Sequence, residues 1–192
     1  MIARSGPTKR DDLIEAALRL FEAEGFRAVG IDRILAEAGV AKMTLYHHFR
    51  TKDDLILAAI RRRDERFRNW MVREVEKRAT APVDRLVAIF DVLGEWFARP
   101  EFRGCPFLRV CGEFEDEAHP ARAAAREHCA MMAAFATGLA RDAGFADPEG
   151  VAQQIMVLTT GATAQAQIGK CPDAARVGRR AAEAVVATAP KR

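Results

Sequence analysis

An all-α protein is what this sequence predicts, on three observations. Alanine, leucine, glutamate and arginine dominate and β-branched runs are scarce, so helix formers outweigh strand formers. Apolar side chains recur at helical spacing along the chain. Proline and glycine punctuate those stretches as helix starts and stops. Hydrophobic residues make up 49% of the 192, enough for a real core and too many for a disordered chain.

Residues 1–10 read as a loose basic arm. The first helix follows, with Leu13, Ala17, Leu20 and Phe21 on one face, Gly25 as its stop and Phe26 packing back. The second covers 31–38, with Ile31, Ile34, Leu35 and Ala38 on one side. Gly39 then takes a left-handed turn, and Val40 plugs the gap between helices. A third short helix, about 42–49, buries Leu45 and Phe49, four apart. Thr51 caps a fourth helix reaching about Arg78, whose first turn holds Asp53 and Asp54, where the helix dipole favours negative charge. Residues 79–82, Ala-Thr-Ala-Pro, are the best place for a boundary between modules.

Beyond it, a helix over 84–98 carries Leu86, Phe90, Leu93 and Phe97. Residues 99–106 form a loop. Pro106 starts a helix to about Glu117, and Pro120 starts one ending near Gly144. Asp147-Pro148-Glu149 combines a cap, a first-turn proline and a carboxylate, opening a helix that ends near Gly169. Pro172-Asp173 opens the last, to about Thr188.

The stretch that carries chemistry is KMTLYHHFRTK, residues 42–52. It holds the chain's one tyrosine and two of its four histidines, and no carboxylate. Its helix leaves Lys42, Met43, Thr44, Tyr46 and His47, with His48 at the edge, facing outward. A nucleotide polyanion repels carboxylates, so an acid-free face at the end of a helix-turn-helix suits the major groove of DNA. Net charge adds little: +3 overall, with +4 in residues 1–80 and −1 in 81–192.

Residues 25–60, GFRAVGIDRILAEAGVAKMTLYHHFRTKDDLILAAI, resemble the DNA-binding domain of the tetracycline-repressor (TetR) family. Its G-V-x-x-x-T-L-Y-x-x-F-x-x-K-x-x-L pattern is met by Gly39, Val40, Thr44, Leu45, Tyr46, Phe49, Lys52 and Leu55. The resemblance implies that Thr44, Tyr46, His47 and Lys52 contact phosphates, and that Lys42 and Met43 lie nearest base edges. Two positions depart from the pattern. Ala41 and Gly30 stand where the family often has a hydroxyl residue. The implied organisation is a helix-turn-helix DNA-binding domain over 1–52 and a larger helical ligand-binding and dimerisation domain over 53–192.

The C-terminal half is similar to one group of TetR C-terminal domains through RGCPFLRVCGEF and HPARAAAREH, which implies an all-helical, dimeric, ligand-binding domain. Residues 96–135 gather Trp96, Phe97, Phe102, Cys105, Phe107, Leu108, Phe114, Met131, Met132 and Phe135, a set able to line an apolar effector pocket. Singly, each is also what an ordinary core holds. Val151, Ile155, Leu158 and Ala162 recur on one face of the penultimate helix, and Val177, Ala181, Ala184 and Val185 on one face of the last. Two such pairs can form an intermolecular four-helix bundle, and a two-fold operator calls for a homodimer.

The expected function is therefore a ligand-responsive transcriptional regulator, a repressor bound to a palindromic operator in double-stranded DNA and released by an unknown small apolar effector. Two alternatives stay open: a thiol-based redox sensor of the same fold, with cysteines acidified by Arg103 and Arg109, and a helical protein-interaction module. Buried free thiols are the simpler account of Cys105, Cys111, Cys129 and Cys171, whose spacing fits no zinc pattern. No cofactor and no metal is expected. Catalysis finds little support. The single serine, Ser5, lies in the arm, Cys129 beside His128 or Cys105 with His119 lack a motif, and no Gly-rich phosphate loop occurs. The polar start of the chain and the four glutamines within the uncharged run 150–169 point to a cytoplasmic protein with no membrane span.

Overall fold

The computed structural model describes residues 8–169, 171 and 173–192; most of the basic arm, Ser5 and Pro172 lie outside these. Among the described residues there are nine α-helices: α1 (Lys9–Glu24), α2 (Ile31–Ala38), α3 (Lys42–His48), α4 (Lys52–Arg78), α5 (Pro82–Phe97), α6 (Pro106–Glu113), α7 (Pro120–Asp142), α8 (Pro148–Gly169) and α9 (Ala174–Thr188). They form two compact units. One comprises the chain up to Arg66 with Pro106–Arg126; the other comprises Phe67–Cys105 with Glu127–Arg192.

In the first unit, Thr8 opens α1 through a capping box: its hydroxyl accepts the Asp11 N–H at 3.2 Å, and Asp11 accepts the Thr8 N–H at 3.2 Å. Leu13, Ala17, Leu20 and Phe21 are buried as their spacing requires, and the Phe26 ring packs 5.2 Å from Phe21. Gly39 sits at φ 63, ψ 38, the left-handed conformation that ends α2 and aims the chain into α3. Val40 is half-buried, and its N–H closes the turn on the Leu35 carbonyl at 3.2 Å. Leu45 and Phe49 anchor α3 from below. Thr51 and Asp54 build a second capping box at the start of α4, with bonds of 3.1 and 2.9 Å. An ionic strap ties α1 to α4: Arg62 meets Asp11 at 2.7 Å and Glu15 at 2.9 Å, Arg66 meets Glu15 at 2.7 Å, and Arg63 meets Glu22 at 2.7 Å.

Helix α6 stops at Glu113, short of the expected Glu117. Phe114 turns inward to bury its ring 6.1 Å from Phe26, and Asp116 then makes a turn in which it accepts the His119 N–H through its carbonyl at 3.0 Å and the Ala118 N–H through its carboxylate at 2.9 Å. Burial of an aromatic ring outweighs one further helical turn of exposed acids.

The second unit is built on a large core, with a smaller cluster of Ala162, Ala166 and Ala174 beside it. Phe67, Met71 and Val75 of α4 meet Leu86, Ile89, Phe90, Leu93 and Trp96 of α5, Met132, Ala136 and Leu139 of α7, and Val151 and Ile155 of α8. Helix α9 lies close on α5 because Gly178 faces Phe90, where a Cβ would stand 2.8 Å from two ring carbons. The end of the chain pairs with the α7–α8 turn: Ala146 donates to the Pro190 carbonyl and Arg192 to the Gly144 carbonyl, both at 2.9 Å.

Candidate nucleic-acid interface

The outward face of α3 follows from its buried pegs. With Leu45 and Phe49 held in the core, Lys42, Met43, Tyr46 and His47 emerge on the opposite side. Met43 is 83% exposed and Tyr46 47% exposed. Thr44 is half-buried beside them. His47 and His48 meet edge to face, 5.0 Å between centroids, and His48 is half-buried against Phe49. Arg10 lays its guanidinium over the Phe49 ring at 5.2 Å, which brings a cation from α1 beside the end of α3.

Two features of this surface lie outside what the local sequence indicates. The helix carries no acid, yet Asp32 from the first turn of α2 reaches it, with Oδ1 3.8 Å from Lys42 Nζ. Lys52, assigned to phosphate by resemblance, is half-buried and donates through Nζ to the Arg27 carbonyl at 3.2 Å. Burial pushes its ammonium pKa below the usual lysine value. One of its three N–H donors thus serves the protein backbone.

The apolar set of the C-terminal half divides between the units. In the second, Trp96 stands at the centre of an aromatic cluster, 5.0 Å from Phe67, 5.0 Å from Phe102 and 5.7 Å from Phe97. Met132 is buried in the same core, with Cys105 and Phe135 packed against it, while Met131 is exposed on α7. Cys105 also donates its N–H to Gln167 Oε1 at 3.1 Å. Phe107, Leu108 and Phe114 belong to the first unit. Phe114 there is stacked on His119 at 4.1 Å and serves the α1–α2 elbow.

The face of α8 chosen by periodicity needs correction. Val151, Ile155 and Ala162 are buried in the chain's own core, and Leu158 is half-buried. They are spent on intramolecular packing. The apolar groups that α8 turns outward are Val157 and Ile168, at 67% and 82% exposure. On α9, Val177 and Ala184 are exposed, and Ala181 and Val185 are half-buried. The expectation of buried thiols also fails: Cys111 and Cys129 are exposed and Cys105 and Cys171 half-buried, with no disulfide among them. Among the described residues no group of three or more His, Cys, Asp or Glu side chains could hold a metal ion. No helix among them is long and apolar enough to cross a membrane.

Comparison with known proteins places this geometry. Residues 13–59 match the family described as bacterial regulatory proteins, tetR family, and residues 82–182 match the tetracyclin repressor-like C-terminal domain. A crystal structure of a TetR-family transcriptional regulator from Streptomyces coelicolor superposes with a TM-score of 0.86 at 32% identity, covering 95% of this chain and 96% of that one. The transcriptional regulator AcuR of Cereibacter sphaeroides is 37% identical over 94 residues, 48% of this chain and 43% of its own length. The transcriptional repressor KstR2 of Mycolicibacterium smegmatis is 28% identical over 86 residues, 43% of this chain and 40% of its own. The chain thus spans about two fifths of the length of these curated relatives.

Proposed function

Since the chain belongs to the tetR family of bacterial regulatory proteins, we propose that it is a ligand-responsive DNA-binding regulator, a repressor that a small apolar molecule releases from a palindromic operator. The observation that carries this reading is α3. It is a seven-residue helix pinned from below by Leu45 and Phe49, and its exposed face offers an ammonium, a phenol, an imidazole and a thioether with no carboxylate of its own. Tyr46 and His47, with Thr44 at the margin, take phosphate oxygens. Lys42 and Met43 enter the groove, where an ammonium finds guanine O6 and N7 and a thioether finds a thymine methyl. The binding surface is assigned to residues 1–52 and effector and partner recognition to 53–192.

A palindromic operator needs two copies. The outward apolar residues Val157, Ile168 and Val177 favour α8 and α9 as the surface that a second copy covers. The Trp96, Phe97 and Phe102 cluster supports an apolar, aromatic-compatible effector. That effector shifts the population only as far as it prefers the released state over the bound one. The setting is the cytoplasm, where operator DNA is met.

Selection of bound sites from random duplex DNA tests the proposal. A two-fold symmetric sequence, bound with an affinity that falls steeply with salt, is the expected result. Absence of any salt-dependent duplex binding removes it.

A further inference from the structure

The loop between α1 and α2 is held by chain more than 80 positions away. Glu113, the last residue of α6, accepts the Arg27 N–H through Oε2 at 2.8 Å. Arg109, one turn earlier, donates from Nη1 to the carbonyls of Phe21 and Glu22, both at 3.0 Å. These belong to the last turn of α1, and the Phe21 carbonyl also accepts the Gly25 N–H at 3.0 Å. Phe114 backs the same loop, under the Arg27 guanidinium at 5.6 Å. From the other side Lys52 donates to the Arg27 carbonyl at 3.2 Å. The residue that leads into α2 is therefore gripped at both its N–H and its C=O. Gly25 confirms how closely Glu113 approaches: a Cβ there would stand 2.7 Å from Oε1.

Given these contacts, we propose that Glu113 and Arg109 are positioning residues for DNA recognition, which set the angle at which α2 and α3 leave α1 and touch no nucleotide themselves. The inference rests on the DNA-binding function above. A main-chain N–H given to a carboxylate is a charge-assisted bond and holds its geometry firmly. Helix α2 has no side-chain cap of its own at Gly30, so nothing local at its start replaces this grip. A change in residues 106–119 thus reaches α3 without altering any residue on its surface.

The test uses the full-length protein, the palindromic duplex it selects and a random duplex of equal length. Glu113→Ala is expected to lower the preference for the selected duplex by about tenfold, the worth of one charge-assisted bond. The salt slope on the random duplex stays unchanged, because no phosphate contact is lost. Glu113→Gln keeps an acceptor oxygen for the Arg27 N–H and retains most of the preference. Tyr46→Phe, a contact change, weakens binding to both duplexes alike. If wild-type protein binds the selected duplex and Glu113→Ala keeps its full preference, the positioning role is overturned while DNA binding stands. A lowered unfolding midpoint with unchanged preference overturns it equally, since that is a structural role only. If wild-type protein shows no salt-dependent binding at all, the DNA-binding function fails, and this inference with it.

Discussion

Asp32→Asn is expected to strengthen DNA binding while slightly weakening the fold. Asp32 is the one carboxylate among the described ion pairs that reaches the α3 face, 3.8 Å from Lys42 Nζ. At that distance two unit charges attract by about 1 kcal/mol in water. Exposed pairs measured in proteins give ~0.2–1 kcal/mol, and both of these side chains are mostly exposed. Freeing Lys42 therefore raises affinity by up to about fivefold per recognition helix. Asp32 also repels phosphate directly, so its loss steepens the dependence of log affinity on log salt, by up to about 0.9 per helix. Stability moves the other way. Asp32 sits in the first turn of α2, where a negative charge contributes about 0.3–1 kcal/mol. Fluorescence anisotropy on a labelled duplex between low and moderate salt reads the first effect, and thermal unfolding reads the second. The part of the gain that comes from freeing Lys42 must vanish in a Lys42→Ala background, where only the loss of direct repulsion is left. Unchanged affinity and slope refutes the electrostatic account, and a gain as large without Lys42 as with it refutes the pairing.

Two further outcomes test the scaffold. Gly178→Ala places a methyl 2.8 Å from two carbons of the fully buried Phe90 ring. Overpacking costs about 1–3 kcal/mol, helix propensity returns up to ~1, and urea unfolding should show a net loss that a Phe90→Leu background relieves. Acid should loosen the α1–α4 strap. The Arg62 guanidinium, with the Thr8 hydroxyl and N–H, holds the Asp11 carboxyl well below the usual carboxylate range. A depressed folded pKa means stability that is complete above the unfolded value of about 3.9 and lost as pH falls from there towards the folded one. Asp11→Asn should lower the thermal midpoint at pH 7 and flatten its decline below pH 4; parallel pH profiles for both proteins contradict the pairing.

The first three helices, the Gly39 turn and the Thr51 cap were legible in the sequence because each rests on short-range chemistry: an amphipathic spacing, a left-handed glycine, a hydroxyl three residues before a carboxylate. What stayed hidden depends on distant partners. Arg109 and Glu113 bind main-chain carbonyls and an N–H, groups every residue possesses, so no pattern of side chains announces them. The end of α6 was misread for the same reason, since Phe114 leaves the helix for a ring met only on folding. On α8 both faces are apolar or small, and periodicity has no means to tell the core side, Val151 and Ile155, from the side that carries Val157 and Ile168. The eightfold span of aromatic and Met residues from Trp96 onward was legible as composition, whereas its division between units was not.

The return of residues 106–126 to the first unit bears on how such regulators can be recombined. A chimera cut once, after Arg66, would transplant a reading head and leave behind the arginine and glutamate that steady it. The host would have to supply matching side chains at those two positions by accident. Grafts that carry both stretches, or that restore Arg109 and Glu113 in the recipient, should keep the donor's sequence preference, and single-junction hybrids should blur it.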